Sequence, residues 1–392
     1  MPHYHYLIVG GGMAADAAAK GIRELDGSGS IAIVGAEPHP PYARPPLSKK
    51  LWQGKPFDSI WRGTEGLGAD LYGGRRAMAL DPARREVRDD RGETYGYDRL
   101  LIATGGTPRR LPFGGDEIIY FRTVDDYRRL RALAERGERF AVIGGGFIGS
   151  EIAAALAMNG KKVTMLFPEE AVCSRVFPPD LAAFLNGFYR EKGVEVLAGE
   201  TATDVRRDGE RLTVTTSGGR SLAVDGVVAG LGIVPEVELA ERAGLAVENG
   251  ITTDELLRAG RPDIYAAGDA AAFVNPLLGR RIRVEHEDNA LAMGRQAGRN
   301  MAGAEEPYHH LPFFYSDLFE LGYEAVGELD ARLETVIDWR TPYHEGVLYY
   351  LREGRVAGVL LWNVWEQVDA ARRLMAEPGP FTAESLKGRL PA

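Results

Sequence analysis

The chain has 392 residues, a hydrophobic share of 45%, a charged share of 26% and a net charge of -9, which is ordinary for a globular protein of two or three domains. Its acidic balance argues against nucleic acid as a partner, since that binding requires phosphate charge to be neutralised. A single cysteine, Cys173, excludes an intramolecular disulfide, a CxxC redox pair and an iron–sulfur cluster.

Residues 3–9 are an apolar run that ends in glycine and reads as a buried parallel strand. An early strand leaves no room for a leader peptide, and no run of about 18 apolar residues follows, so a cytoplasmic protein without a membrane span is expected. Residues 13–25 are rich in alanine and read as a helix, with a second strand at 30–34. That is a βαβ unit, and Glu37 lies three residues beyond Val34. The proline-rich stretch 38–46 reads as a rigid loop that presents Arg44 and leads into a helix bearing Lys49. Strands and turns fill 71–99, and Arg99-Leu100-Leu101-Ile102-Ala103-Thr104-Gly105 is a strand ending in a turn.

The pattern restarts at Arg139, with a strand at 140–143, a helix at 147–158 and a strand at 162–167. Glu169 stands three residues beyond Leu166, as Glu37 does beyond Val34. Alternation of polar and apolar residues over 194–230 predicts a small antiparallel sheet. A strand at 263–267 runs into Gly268-Asp269, and a helix is expected over 289–301. After Pro312 the aromatics Phe313, Phe314, Tyr315 and Phe319 cluster, and strands at 346–351 and 356–362 predict a separate C-terminal α+β domain.

Two glycine-rich turns carry the chemistry. Gly10-Gly11-Gly12-Met13-Ala14-Ala15 and Gly144-Gly145-Gly146-Phe147-Ile148-Gly149 begin 134 residues apart, each between an apolar strand and a helix. In such a turn the first glycine makes the bend and the second lets backbone N–H groups approach a pyrophosphate. The third position must be small so that the helix can lie on its strand. Gly10, Gly12 and Ala15 fill these roles in the first copy, and Gly144, Gly146 and Gly149 in the second. Two copies in one chain predict two dinucleotides held face to face, as hydride transfer from nicotinamide to flavin requires. Glu37 and Glu169 are the candidates for the two ribose diols. Glu169 would repel a 2′-phosphate and favour NADH over NADPH, whereas the nearby Arg175 would accept one.

With Ala103-Thr104-Gly105-Gly106 and Gly268-Asp269, the two turns resemble the two-dinucleotide-binding-domain flavoprotein reductases over residues 1–308. The implied fold is α/β, with two Rossmann-like dinucleotide-binding domains and the α+β C-terminal domain. The FAD-binding domain would be 1–110 with 235–308, the NAD-binding domain 111–234, and the C-terminal domain 309–392. Pro41-Tyr42-Ala43-Arg44-Pro45-Pro46-Leu47-Ser48-Lys49 is similar to the signature loop of apoptosis-inducing factor and of the ferredoxin reductases of oxygenase systems. Arg283-Val284-Glu285-His286, Tyr323-Glu324 and Gly358-Val359-Leu360-Leu361-Trp362-Asn363 resemble apoptosis-inducing factor in particular.

The resemblance implies that the first turn, with Arg44, Lys49, Arg122, Asp269 and His286, binds FAD. Thr104, Gly105 and Gly268 accompany them, and Ala77 and Glu287 complete the set. It implies that Gly145, Gly146, Phe147, Ile148, Glu169, Gly232, Glu285, Glu324 and Asn363 bind NAD. Lys49 and Glu151 would form an ion pair beside the flavin, where a cation stabilises the anionic reduced ring and its carboxylate tunes that effect. Phe147 would cover the flavin until nicotinamide displaces it, and His286 would orient nicotinamide. Tyr315 stands where the family usually has Trp in a Trp-Ser-Asp segment, so weaker stacking is expected. The acidic insertion, leader and membrane anchor of the animal protein are not expected, and a death-effector role does not carry over.

Three readings of function follow. The first is an NADH-oxidising FAD flavoprotein that forms a charge-transfer complex and dimerises on reduction, with quinone, oxygen or a small redox protein as acceptor. The second is a reductase for an acidic ferredoxin or rubredoxin, with Arg280, Arg281 and Arg283 as its basic patch. The third is a scaffold switched by NADH.

Overall fold

The computed structural model describes residues 1–391. The chain divides into two compact units, 1–43 with 58–107 and 234–312, and 44–57 with 108–233 and 313–392. The segment 44–57, which the sequence places with the first domain, belongs to the second unit.

The first unit is built on an eight-stranded sheet. Its main path runs Arg258–Arg261, Ile264–Ala266, Thr94–Ile102, His3–Val9, Ile31–Gly35 and Ala69–Gly73. His3–Val9 is parallel to both of its neighbours. Leu7 and Ile8 are fully buried and Val9 nearly so, as expected for a strand covered on both faces. The helices Met13–Arg23 and Glu287–Met301 cross backbone to backbone. A Cβ on Gly21 would lie 2.2 Å from the Arg295 carbonyl oxygen, and one on Gly298 2.0 Å from that of Ala18. Alanine and glycine therefore set this crossing, since any larger side chain would force the helices apart. The second helix starts two residues before the expected Asn289, because Glu287 and Asp288 suit the positive end of its dipole.

The second unit contains a five-stranded parallel sheet in the order Val194–Ala198, Lys162–Phe167, Arg139–Ile143, Gly226–Ala229 and Ile118–Tyr120. The expected antiparallel sheet over 194–230 is thereby corrected. Only Ala202–Asp208, Arg211–Thr216 and Ser221–Val224 pair antiparallel. The flanking Val194–Ala198 and Gly226–Ala229 join the parallel sheet, and Gly226–Ala229 is buried at every position.

Residues 313–392 of this unit hold a five-stranded antiparallel sheet. Its order is Phe313–Leu318, Leu321–Gly327, Arg355–Trp362, Glu345–Arg352 and Glu334–Thr341. A tight hairpin joins Glu334–Thr341 to Glu345–Arg352, with Asp338 and Trp339 opposite Val347 and Gly346. Lys49 does not sit on a helix. It separates two short 3-10 turns, Pro45–Ser48 and Lys50–Gln53, because Pro45 and Pro46 supply no N–H and the chain bonds only three residues back. No helix among the described residues is long and apolar enough to cross a membrane.

Candidate functional site

In the first unit three segments meet around the start of Met13–Arg23. Gly10 has φ +121°, and a Cβ there would lie 2.0 Å from the Ala103 carbonyl oxygen, so the turn passes directly under Ala103-Thr104. Gly268 has φ +74°, and a Cβ there would touch the Ala14 side chain at 3.0 Å. That contact brings Asp269 to the same helix start, on a three-residue 3-10 turn rather than as a helix N-cap. Gly12, by contrast, is extended at φ -99°, and a Cβ on it would meet no atom within 4 Å. The helix has no side-chain cap, so its first N–H groups face this open space. A pyrophosphate fits the residues present, because the one position where backbone must approach phosphate is clear.

Glu37 accepts a 2.5 Å bond from the Tyr42 hydroxyl, which fixes its carboxylate beyond the second strand. Thr104 donates to the Glu236 carbonyl at 2.6 Å and Gly105 accepts from the Glu236 amide. His286 is the extended N-cap of Glu287–Met301. Glu285 is paired with Arg283 at 2.6 Å, and Arg283 also donates to the Asp269 carbonyl. Ala77 is half-buried in the strand Ala77–Asp81.

The second unit repeats the device with closer packing. Gly144 has φ +113° and abuts the Gly230 carbonyl, and a Cβ on Gly149 would lie 1.9 Å from the Gly144 oxygen. Gly146 is exposed and extended, with nothing within 4 Å of a Cβ. The chain leaving Lys162–Phe167 folds back, and the Cys173 amide donates to the Gly145 carbonyl at 2.8 Å. That return carries Glu169 and Arg175 toward the second turn, where they pair with each other at 2.5 Å. Gly232, at φ +79°, follows Gly230, whose own Cβ would meet the Gly149 amide at 2.7 Å.

Lys49 and Glu151 are brought together as expected. Both are buried, and Lys49 Nζ lies 2.7 Å from Glu151 Oε1. Such a pair is held only when its remaining valences are met. The Ser48 hydroxyl donates to Oε2 at 2.5 Å and the Ser316 hydroxyl to Oε1 at 2.6 Å. Sequence reasoning missed both serines, since nothing in their spacing marks them as partners of Glu151. Lys49 Nζ lies 5.3 Å from the centre of the Tyr315 ring. Phe147 packs on Phe314. Arg44 donates to the Arg122 carbonyl at 3.0 Å.

Two C-terminal residues have additional commitments. The Asn363 side chain accepts from the Gly322 amide and donates to the His344 carbonyl, so its amide closes two loops at a left-handed position, φ +50°. Glu324 accepts from the Glu366 amide at 3.2 Å, and burial holds its carboxyl above the usual range. Cys173 is buried, which pushes its thiol up to about 12. It is inert as a nucleophile at neutral pH.

Residues 4–294 match the model of the pyridine nucleotide-disulphide oxidoreductase family. Residues 297–342 and 337–377 match the C-terminal domain model of mitochondrion-associated apoptosis-inducing factor. The ferredoxin reductase subunit of a 5,5'-dehydrodivanillate O-demethylase from Sphingobium sp. is 36% identical, over 96% of this chain and 94% of its own. A Drosophila melanogaster protein named for apoptosis-inducing factor 1 is 32% identical over 95% of this chain, which spans 63% of that relative's length. Among solved structures, the putidaredoxin reductase–putidaredoxin complex superposes with a TM-score of 0.89 at 31% identity, covering 96% of this chain and 94% of that one. The chain belongs to the pyridine nucleotide-disulphide oxidoreductase family. It is an oxidoreductase of the two-dinucleotide-binding-domain fold, and FAD and NAD(H) are its cofactors. Despite the family's name, its one cysteine leaves it without a redox disulfide of its own.

Proposed function

We propose that the protein transfers hydride from NADH to FAD and passes the electrons to a separate acceptor. In this reading Gly10, Gly12 and Ala15, with Glu37 and Asp269, hold FAD, and Gly144, Gly146 and Gly149, with Glu169, hold NAD. The observation that carries it is the pair of open second-glycine positions, Gly12 and Gly146, each at the uncapped start of a helix. When bound, the nicotinamide supplies the hydride and the flavin accepts it. The protein's part is to bind, to orient and to supply charge. Lys49 would provide a cation for the reduced flavin and Glu151 would moderate it, while Phe147, Tyr315 and His286 are the residues that would contact the bound cofactors. No residue is assigned as a general acid or base.

The finer reading is that reduction leaves a persistent charge-transfer complex and drives dimerisation. A cytoplasmic setting belongs to this reading, in keeping with one buried, unpaired cysteine. The test is an aerobic NADH titration of the yellow protein, followed by absorbance and by size-exclusion chromatography. A lasting long-wavelength band with a shift to dimer is expected. Rapid re-oxidation without either would remove the finer reading.

A second reading, a reductase for an acidic ferredoxin, is favoured by the ferredoxin reductase subunit and the putidaredoxin reductase among the relatives. Arg280–Ile282, with Arg283, places basic side chains in the first unit, although Arg281 donates to the Thr253 and Ala272 carbonyls and Arg283 is paired with Glu285. NADH-dependent reduction of an added ferredoxin, lost when salt is raised, is the result expected of it.

A further inference from the structure

The Lys49–Glu151 pair is surrounded by groups drawn from four stretches of the second unit. Ser48 and Lys49 come from the proline-rich segment, and Glu151 from the helix Phe147–Met158. Cys173 and Tyr189 come from the stretch after the third parallel strand, and Ser316 and Tyr323 from the C-terminal sheet. Glu151 therefore faces Lys49, Cys173, Tyr189 and Tyr323 as titratable neighbours. Burial pushes the thiol and both phenols up, so these three are neutral at physiological pH. The local charge then turns on Lys49 and Glu151, and on how the carboxylate's charge is spread.

Two hydroxyls spread it. Ser48 donates to Oε2, and Ser316 to Oε1, the oxygen that also meets Lys49. Ser316 lies opposite Tyr323 in the C-terminal sheet. Both serines are buried, at 4% and 1% exposed. Hydroxyls that donate to an anion are worth more than neutral bonds because they draw off negative charge.

We infer that Ser48 and Ser316 are positioning residues that divide the charge of Glu151, and that Ser316 thereby lets the C-terminal sheet set the flavin's redox poise. The inference rests on the proposed function in one respect, that Lys49 and Glu151 lie beside the flavin. Without either hydroxyl, the carboxylate keeps more negative charge and neutralises Lys49 more completely. Reduced flavin, which is anionic, is then less favoured. Loss of the carboxylate's charge has the opposite sign, because Lys49 is left uncompensated.

The test is the flavin midpoint potential of the FAD-loaded protein, read against a reference dye during dithionite reduction and thus independent of NADH. Ser316→Ala is expected to lower the two-electron equilibrium constant about ten-fold, Ser48→Ala to move it the same way, and Ser316→Thr to restore it. Glu151→Gln is expected to raise it. If Glu151→Gln moves the potential and neither serine variant does, the clamp is overturned while the site assignment stands. If none of the three moves it, the pair does not lie beside the flavin, and both the assignment and the inference fall. Should Ser316→Ala not fold, Ser48→Ala reads the same effect through the other oxygen.

Discussion

The two glycine-rich turns look alike in sequence and are packed differently. In the second, Gly149 presses on the Gly144 carbonyl, and Gly230 seals the turn from the next strand. In the first, the third position is Ala15, fully buried, and the tight contact has moved to another helix. Gly294 takes it up, with a Cβ that would lie 2.4 Å from the Ala14 carbonyl oxygen. The same requirement, a helix lying close on its neighbours, is met within the turn in one unit and by a helix crossing in the other. What stays constant is the open second glycine. Sequence position alone therefore does not say which glycine is structural and which is kept clear for ligand.

That distinction predicts a graded set of effects. Gly149→Ala puts a methyl into backbone that cannot move aside, and about 3 kcal/mol of stability is expected to be lost. Ala15→Gly costs about 1 kcal/mol or less. Thermal unfolding of the two variants decides it, and equal losses would erase the contrast. The second glycines should behave oppositely, because both are extended and open. Gly12→Leu is expected to melt normally yet lose FAD, leaving a colourless protein. Gly146→Leu is expected to keep FAD and raise the NADH KM about thirty-fold, or about 2 kcal/mol.

The acidic partners extend the comparison to the ribose diols. Glu169→Ser, with Arg175 kept, is expected to move the NADH over NADPH preference about ten-fold toward NADPH, read from kcat/KM. Arg175→Ala should leave the preference with NADH and change stability by less than about 1 kcal/mol, since the pair is exposed.

The smallest effect is at Glu324, outside both turns. Burial raises its folded pKa above the usual 4.5. The group's contribution to stability is thus fully present below its unfolded pKa and lost as pH rises through the folded value. Glu324→Gln should therefore raise the melting temperature at neutral pH by about 1–2 °C and give no gain near pH 4, while weakening NADH. A gain at acid pH would contradict the sign.

Much of this was legible because apolar runs and glycine spacing are local signals. Strand, turn and helix follow one another within about a dozen residues at Val9-Gly10 and again at Ile143-Gly144. The unit boundary at 44–57 was not legible, because which unit a proline loop joins depends on long-range packing. The Lys49–Glu151 pair was reached through resemblance to a family and not through periodicity. Ser48 and Ser316 were invisible because a buried serine is recognised only by what faces it. Asn363 was expected to serve a ligand, and its left-handed backbone and two loop bonds became readable only in three dimensions.

The central claim is a division of labour, FAD on the first turn and NADH on the second. Anaerobic rapid mixing of the FAD-loaded protein with NADH, followed at the flavin absorbance maximum, tests it most directly when the wild type and Gly146→Leu are run together. The expected result is full bleaching of the wild type and, at the same NADH concentration, bleaching at least ten-fold slower in the variant, with both fully reducible by dithionite. A wild type that stays yellow with NADH but bleaches with dithionite would contradict the claim, as would a variant that bleaches at the wild-type rate.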